Sequence, residues 1–524
     1  MPDAVAPVAL LSLSDRSGLE SLARTLARRG YRLIATSGTA AAVRAFGLTC
    51  EDIGDITGFP TLFGGRVKTL HPIILGGVLA DPQSAEHAAE MRAHKIPAIS
   101  VVAVSLYPFE KTVTNVRVTD AEAVEQIDIG GVTLLRAAAK NFERVSVLSD
   151  AAAFEAFARA ADDGGPTLEQ RRRWAATAFR RCEDYDRAIA RYFNDPSSSA
   201  GALAPDGGLH LDLPLAARVR YGENPWALGA FFGTMAMEQL SGKELSYNNL
   251  LDVDACLRLL APIDEPKGFP AGVRSRRHVR GAIVKHTVPS GVAARDSVAQ
   301  ALAAALGADP ISAFGGIVAC DAGIDLAAAQ LLNSRFLEVI AAPGFDAAAL
   351  ELLEKKKNLR LLTFDPTLPA RLLAEPKLRS ALGGLLVERP DPAAAPDAWR
   401  VVTEVEPTPP QWRDLLFAFA AVRQVKSNAV VVAADEVTLG VCGGQTNRVA
   451  AVEIACQRAG AAARGATLAT DGFFPFADGI DAAARAGIAA VVAPSGSIRD
   501  EEVIAAARKA GVALVFSTRR YFSH

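Results

Sequence analysis

The N-terminal segment alternates between strand and helix patterns, and this alternation restricts the fold more than any other feature. Residues 8–14 (VALLSLS) form an apolar strand pattern, residues 19–29 repeat apolar side chains at helical spacing, and residues 31–37 (YRLIATS) form a second strand pattern. Ser17 and Glu20 stand at the spacing of a capping box at the start of the helix. Two strands joined by one helix predict a βαβ unit, and hence a parallel sheet covered by helices.

The rest of the chain predicts a second α/β domain. With 524 residues the chain is too long for one hydrophobic core. Residues 194–208 are rich in Ser, Pro and Gly and lack apolar periodicity, so they are the predicted linker between domains 1–198 and 199–524. The stretches SAFGGIVACD and NAVVVAADEVTLGVCGG hint at two similar halves in the second domain, although their spacing demonstrates no repeat.

Charge and cysteine content exclude several classes of function. The formal net charge is −2, so no overall field attracts nucleic acid or an anionic membrane. No apolar run reaches the ~18 residues of a membrane span, and the N-terminus lacks the basic segment of a signal peptide. The six cysteines are scattered without a CxxC pair, which favours reduced core thiols over disulfides or zinc. These features predict a cytoplasmic protein with no nucleic-acid, membrane or metal partner.

Two turns near the N-terminus are candidates for an anion site. SLSDRSG (residues 12–18) and TSGTA (residues 36–40) place hydroxyls and a glycine where a strand passes into a helix, and unpaired N–H groups and the helix dipole attract anions there. Each turn alone is more typical of helix capping. Together they suggest one phosphate pocket, to which Arg16 would add charge.

Three further positions of the first domain carry reactive side chains. GGRVKTLHP (residues 64–72) gathers cationic side chains between glycine and proline, although a solvated loop could do the same. Asp128 precedes a glycine pair, Lys140 follows one apolar helix, and Tyr107 ends a buried strand. A turn aspartate and a core tyrosine are the ordinary interpretations of such positions, so these residues by themselves identify no reaction.

The second domain carries a Lys-His pair in an apolar setting. In GAIVKHTVPSGVAA (residues 281–294), residues 282–284 predict a buried strand and residues 287–291 predict a turn, with Lys285 and His286 between them. An imidazole suits a general base at neutral pH, and an ammonium can neutralise an oxyanion. A surface lysine beside a hydrogen-bonded histidine is the alternative interpretation.

Long motifs in both domains resemble one enzyme family. GGRVKTLHP, SLYPF, QIDIGGVTLLRAAAKN, RYGENP, ELSYNNLLD, VKSN and GSIRDEEVI are similar, in the same order, to motifs of the bifunctional AICAR transformylase/IMP cyclohydrolases of purine biosynthesis. The resemblance runs from about Leu10 to His524. It implies an N-terminal methylglyoxal-synthase-like parallel-sheet domain and a C-terminal transformylase domain of two cytidine-deaminase-like α/β subdomains. It also implies formyl transfer from 10-formyltetrahydrofolate to aminoimidazole carboxamide ribonucleotide (AICAR), followed by dehydrative ring closure of the product FAICAR to IMP.

The resemblance assigns the ring closure to the first domain, with Lys68 as the stabiliser of the oxyanion that forms during cyclisation. The residues implied to hold the substrate are Arg66 and Thr69, and those implied to transfer protons are Tyr107, Asp128 and Lys140. The positions that match phosphate contacts of the family are Ser12, Ser14, Arg16, Thr36, Gly38 and Thr39.

The resemblance assigns formyl transfer to the second domain. His286 is implied as the general base, Lys285 as the residue that neutralises the oxyanion and helps protonate the leaving folate nitrogen, and Asn428 as the residue that orients the formyl group. The other implied contacts are Arg220, Tyr221, Phe473, Phe474 and Arg520. By sequence alone the two phenylalanines are typical of core residues.

The resemblance further implies a homodimer with transformylase sites between subunits, no tightly bound cofactor, and AICAR, FAICAR, IMP and folate as ligands. Val288 and Ser290 depart from residues common in the family, which leaves open an active cyclohydrolase with an impaired transformylase. A nucleotide-binding regulatory module is disfavoured by the density of Lys68, Tyr107 and Asp128. A dinucleotide oxidoreductase is disfavoured because no G-x-G-x-x-G follows a strand.

Overall fold

The computed structural model describes residues 6–60, 62–114, 118–194, 209, 211, 213–273, 278–390 and 395–524. The chain divides into two units, Met1–Gly201 and Ala202–His524. Residues 195–208 of the predicted linker lie outside the described residues.

The first unit is built on a parallel sheet of five strands in the order β3-β2-β1-β4-β5. The strands are β1 (Val8–Leu13), β2 (Arg32–Ala35), β3 (Glu51–Asp52), β4 (Ile99–Ser105) and β5 (Ser146–Leu148). The predicted βαβ unit and parallel sheet are confirmed, because β1 and β2 pair in parallel across one helix.

Helices cover both faces of this sheet. They are α1 (Leu19–Arg28), α2 (Ser37–Ala45), α3 (Ile53–Thr57), α4 (Pro72–Leu79), α5 (Ala85–Ala93), α6 (Phe109–Val113), α7 (Asp120–Glu125), α8 (Gly130–Lys140), α9 (Ala151–Asp162) and α10 (Leu168–Asn194). Alternate residues of β1 enter two different hydrophobic clusters, Val8 and Leu10 the one and Ala9, Leu11 and Leu13 the other. Such alternation places one core on each face of the sheet.

The predicted capping box at the start of α1 is wrong. The N-cap is Gly18, whose φ of 78° lies in the left-handed region, and it makes no side-chain cap bond. The Ser17 hydroxyl instead donates to Asp15 at 2.7 Å. Because the Ser17 hydroxyl is bonded to Asp15 in the turn before the helix, it does not cap α1.

The second unit contains a 12-stranded mixed sheet and two separate hairpins. Its strands are β6 (Leu215–Val219), β7 (Gly229–Phe232), β8 (Met237–Ser241), β9 (Val279–Lys285), β10 (Val288–Arg295), β11 (Ile317–Cys320), β12 (Val339–Ala342), β13 (Arg360–Phe364), β14 (Lys377–Ala381), β15 (Gly384–Glu388), β16 (Trp399–Val401), β17 (Val430–Ala434), β18 (Val437–Cys442), β19 (Thr467–Thr470), β20 (Ala490–Pro494) and β21 (Ala513–Ser517). Its helices are α11 (Tyr247–Leu260), α12 (Val298–Ala308), α13 (Leu326–Asn333), α14 (Ala347–Glu354), α15 (Leu368–Ala374), α16 (Pro409–Val422), α17 (Arg448–Ala459), α18 (Asp478–Arg485) and α19 (Asp500–Ala510).

The large sheet consists of two halves with the same topology. In one half the β9–β10 hairpin is followed by β11 antiparallel to β9, then by β12 and β13 in parallel. In the other half the β17–β18 hairpin is followed by β19 antiparallel to β17, then by β20 and β21 in parallel. The halves join where β10 pairs with β18, so the similarity that the sequence hinted at is a repeat of topology.

The predicted turn over residues 287–291 is wrong. β9 ends at Lys285 and β10 begins at Val288, so only His286 and Thr287 connect the two strands. Residues 288–291 belong to the second strand of the hairpin, and the Lys-His pair therefore stands at the tip of a tight β-hairpin.

The six cysteines are buried and unpaired, as the sequence predicted for core thiols. Burial raises the pKa of Cys50 and that of Cys182 to about 11. In the part of the chain that the structure describes, no helix is long and apolar enough to cross a membrane.

Candidate active sites

A cavity of about 510 Å³ opens where strands β1 and β4 end and helix α2 begins. The carboxyl edge of a parallel sheet is the usual position of a ligand site in α/β folds. The sequence-predicted residues that line the cavity are Ser12, Ser14, Thr36, Gly38, Thr39, Arg66, Lys68, Thr69, Tyr107 and Asp128. The structure therefore brings together candidates from five separate stretches of sequence.

The glycine pair Gly130-Gly131 is required by the close packing of this site. A Cβ atom on Gly130 would lie 2.4 Å from the Thr69 hydroxyl oxygen, and one on Gly131 would lie 2.4 Å from Asp128 Oδ2. Real Cβ atoms do not approach so closely, so any larger residue would displace Thr69 or Asp128. The pair thus lets the start of α8 pass directly against two candidate site residues.

Asp128 is held by backbone donors from two elements. Its carboxylate accepts hydrogen bonds from the Gly131 N–H at 2.6 Å and the Tyr107 N–H at 3.3 Å. Burial raises the pKa of Asp128, while these two bonds and the charge of Lys68 act in the opposite direction. A half-buried carboxylate with a raised pKa beside a lysine is suited to proton transfer.

Tyr185 positions Asp128 from a distant helix and was missed by the sequence analysis. Its hydroxyl accepts a bond from the Asp128 N–H at 2.9 Å and donates to the Gln126 carbonyl at 2.7 Å. Burial raises its pKa to about 12. The contact spans 57 positions of sequence, so no local pattern could have indicated it.

The two predicted phosphate turns meet at the end of β1. The Thr39 hydroxyl accepts a bond from the Leu13 N–H at 3.0 Å, and the Thr36 hydroxyl lies 3.3 Å from that of Thr39. Arg16 is outside the cavity lining but lies beside Gly38, where an added Cβ would be 3.2 Å from Arg16 Nη2.

Arg66 and Lys140, two further cationic candidates of this unit, differ in their position relative to the cavity. Arg66 forms an exposed ion pair with Glu125, which also lines the cavity. Lys140 ends α8, whose first residue Gly130 lines the cavity, and ten residues of helix correspond to about 15 Å. The structure thus does not bring Lys140 into the lining of this cavity.

In the second unit the Lys-His pair stands at the hairpin tip, with His286 exposed and Lys285 half-buried, and it contacts two other segments. Lys285 Nζ donates to the Phe314 carbonyl at 2.7 Å. The backbone N–H groups of His286 and Thr287 donate to the carboxylate of Asp252 on α11, at 3.2 and 2.6 Å. The sequence analysis quoted Asp252 within ELSYNNLLD but gave it no role.

Asn428 precedes β17 and lies at the same edge of the sheet as the hairpin tip. β18 runs antiparallel to β10, with Val437 opposite Ala293, and antiparallel to β17, with Cys442 opposite Val430. The end of β18 therefore lies beside the starts of both β10 and β17. The Asn428 side chain donates to the Gln445 carbonyl at 3.0 Å, which fixes its amide group. It lines a cavity of about 490 Å³.

A buried ion pair supports the segment around Asn428. Asp471 is fully buried, pairs with Arg448, and accepts hydrogen bonds from the Ser427 hydroxyl and the Ala429 N–H. These contacts hold the residues on both sides of Asn428. Breaking such a pair from one side would leave an uncompensated buried charge.

Aromatic side chains surround the cavity at Asn428. Its lining includes Phe473, Phe476 and Phe522, and the guanidinium of Arg520 lies 4.8 Å from the centre of the Phe522 ring. Phe474 does not line it, because its side chain is buried in a hydrophobic cluster of the second half.

Arg220 and Tyr221 follow β6 and contact each other. The Arg220 guanidinium lies 4.8 Å from the centre of the Tyr221 ring and donates to its hydroxyl at 3.0 Å. Burial lowers the pKa of Arg360, and the nearby charge of Arg220 lowers it further. Arg360 in turn lies 3.8 Å from Glu338, which accepts a hydrogen bond from the Asn249 side chain on α11, the helix that carries Asp252.

Among the described residues, no group of three or more His, Cys, Asp or Glu side chains is arranged to hold a metal ion.

Comparison with known proteins matches both units. The AICARFT/IMPCHase bienzyme family model matches residues 138–458, and the MGS-like domain model matches residues 18–133. Proteins named "Bifunctional purine biosynthesis protein PurH" are similar over the whole chain. That of Myxococcus xanthus is 43% identical and covers 99% of this chain and 100% of the relative. That of Rippkaea orientalis is 43% identical, with 99% of each chain covered. A solved structure titled "Crystal structure of ForH" is 36% identical, covers 36% of this chain and 100% of that chain, and has a TM-score of 0.32.

Proposed function

The chain belongs to the AICARFT/IMPCHase bienzyme family and is an AICAR formyltransferase and IMP cyclohydrolase of purine biosynthesis, and we propose that its two units divide these reactions. Ring closure takes place in the first unit, at the cavity that gathers Lys68, Tyr107 and Asp128. Formyl transfer takes place in the second unit, at the sheet edge that carries Lys285, His286 and Asn428. The convergence of five sequence stretches on one cavity is the observation that carries the first assignment.

Ring closure requires the carboxamide nitrogen of FAICAR to attack the formyl carbon. The new N–C bond forms as the carbonyl electrons move onto the formyl oxygen, which takes up one proton to become a hydroxyl. It takes up a second proton as its C–O bond breaks and water leaves, while the nitrogen that carried the formyl group loses its proton and the C=N bond of the ring forms. Lys68 neutralises the charge on this oxygen, which is where a fixed cation lowers the barrier most. Arg66 and Thr69 hold the substrate, and the turns at Thr36 and Gly38 bind its phosphate.

Asp128 accepts the proton that the carboxamide nitrogen loses, and Tyr107 completes the proton path. Both line the cavity, and the Tyr107 N–H already donates to the Asp128 carboxylate. The carboxylate must be ionised to accept a proton. Lys140 stays a predicted member of this group through the resemblance alone.

We expect the acid limb of the ring-closure pH profile to lie above pH 3.8, the ordinary value for aspartate, because burial raises the pKa of Asp128. Asp128→Asn should be slower and should lack this limb. Since the charge of Lys68 lowers that pKa, the residual activity of Lys68→Ala should have its limb at higher pH. IMP formation from FAICAR gives the profiles, with circular dichroism confirming a folded protein at each pH. A limb that persists unchanged in Asp128→Asn would exclude Asp128 as the titrating base.

We assign formyl transfer to the second unit, with 10-formyltetrahydrofolate as the co-substrate. His286 removes a proton from the attacking amine of AICAR as the new N–C bond forms, and Lys285 neutralises the tetrahedral oxyanion. The oxyanion then collapses, the bond from the formyl carbon to the folate nitrogen breaks, and Lys285 helps to protonate that nitrogen as tetrahydrofolate leaves. Asn428 orients the formyl group. The cavity at Asn428 has aromatic walls at Phe473 and Phe522, which suit the flat ring system of a folate.

We also assign the protein a homodimeric state. The hairpin β14–β15 forms a two-stranded sheet of its own, and such a hairpin is marginally stable in isolation. Its exposed apolar side chains are Leu378, Leu382, Leu385 and Leu386. A second copy of the chain would cover these side chains and the hairpin's open edges.

Sedimentation velocity should find a dimer, and Leu382→Asp combined with Leu386→Asp should shift it to monomer. The rate of formyl transfer should fall when the dimer dissociates, because the family resemblance implies transformylase sites between subunits. Ring closure should continue in the monomer. Leu326→Asp is the matched control, since Leu326 is another exposed leucine, at the first position of α13. A wild-type monomer that transfers the formyl group at full rate would refute the dimer.

A further inference from the structure

The hairpin tip that carries His286 has an unfavourable backbone conformation. The φ angles of His286 and Thr287 are 54° and 61°, which is the left-handed region at both positions of a two-residue turn. Turns of this kind favour Asn and Gly, and a β-branched residue such as threonine is rare there. Such a conformation persists only where the surroundings fix it, and it is commonest at functional sites.

One carboxylate fixes this turn. Asp252 Oδ2 accepts the His286 N–H at 3.2 Å and Oδ1 accepts the Thr287 N–H at 2.6 Å. Each oxygen therefore holds one of the two consecutive amides that the left-handed turn presents. The bonds connect the hairpin to α11, which lies 34 positions away in sequence.

Asp252 is itself anchored in the second unit. Helix α11 begins with a capping box between Ser246 and Asn249, and the Asn249 side chain donates to Glu338 at 2.9 Å. Burial raises the pKa of Asp252, whereas the two turn amides and the nearby His286 lower it. The Asp252 carboxylate on α11 therefore has two charged neighbours, His286 and Glu338, and Glu338 immediately precedes β12. Lys285 Nζ is bound to the Phe314 carbonyl.

We propose that Asp252 is a positioning residue for formyl transfer, which holds the left-handed turn and so places the His286 imidazole at the amine of AICAR. The inference rests on the proposed role of His286 as general base. Asp252 acts through the backbone of His286 and Thr287, without contact to the substrate. Its loss lets the turn relax and moves the imidazole away from its productive position, and a displacement of about 1 Å can cost a hundredfold in rate.

Asp252→Asn in the full-length protein is the direct test. The amide retains one acceptor oxygen, but its NH₂ group meets the second turn N–H, so one of the two bonds is lost. We expect kcat for formyl transfer to fall roughly ten- to a hundredfold, with KM for AICAR and for the folate within about twofold of wild type. Ring closure should be unchanged. Asp254→Asn, on the same helix and paired with Arg258, should leave both reactions unchanged.

Two combined variants separate positioning from other roles. Thr287→Gly in the Asp252→Asn background should restore much of the lost rate, because glycine adopts positive φ without strain. Asp252→Asn should add little to His286→Ala, because both changes remove the same base. A raised KM with normal kcat, no rescue by Thr287→Gly, or a further large loss in the His286→Ala background would each overturn the proposal.

The test also distinguishes this proposal from its premise. If His286→Ala keeps normal transfer, the assigned base is wrong and the positioning role is lost with it. If His286→Ala is inactive while Asp252→Asn transfers normally, only the positioning role is overturned.

Discussion

Lys68→Ala should lower ring closure by roughly two to three orders of magnitude and leave formyl transfer at its wild-type rate. The size is that expected for the loss of one donor to a developing oxyanion. Lys68 is half-buried, lines the cavity and lies close enough to Asp128 to lower its pKa. The measurement is IMP formation from FAICAR, with formyl transfer from 10-formyltetrahydrofolate to AICAR measured on the same preparation.

Two further variants make the result specific to this cation. Lys111→Ala removes a lysine of the same unit that does not line this cavity, and it should cyclise normally. Lys68→Arg keeps the positive charge but on a differently shaped group, so its rate of ring closure should lie between those of wild type and Lys68→Ala. An equal loss of both reactions in Lys68→Ala would point to misfolding and would remove the support for separate sites.

The fold was predictable where local pattern determines structure. Residues 8–37 alternate apolar strands with an amphipathic helix, and the parallel sheet follows from that alternation. The tip at His286-Thr287 was not predictable, because two-residue turns are recognised by Gly or Asn and this one contains neither. The shared topology of the two halves was also hidden, because it resides in strand pairing and not in the spacing of residues.

The site was predictable for residues within long motifs and for the two strand-to-helix turns near the N-terminus. Lys68, Tyr107 and Asp128 stand in motifs that resemble the family, and the structure gathers them around one cavity. Tyr185 contacts Asp128 in the first unit across 57 positions of sequence, and Asp252 contacts His286 in the second unit across 34. Their types, a core tyrosine and a helix aspartate, are ordinary at such positions. Only the packing of distant elements gives them a role.

His286→Ala should lower formyl transfer by roughly a hundredfold or more, because a positioned general base contributes about that much. The attacking amine is a weak nucleophile that must lose a proton as the new bond forms. Only a neutral imidazole accepts that proton, and alanine has no group that replaces it. The measurement is tetrahydrofolate release from 10-formyltetrahydrofolate in the presence of AICAR.

The matched control for His286 stands at the other end of the same strand. His278 is exposed and immediately precedes β9, so roughly 25 Å of extended chain separates the two imidazoles. His278→Ala should transfer the formyl group at the wild-type rate, and both variants should close the ring normally because that reaction belongs to the first unit. Near-normal transfer by His286→Ala would mean that the hairpin pair is structural. A base would then have to be sought elsewhere along the sheet edge.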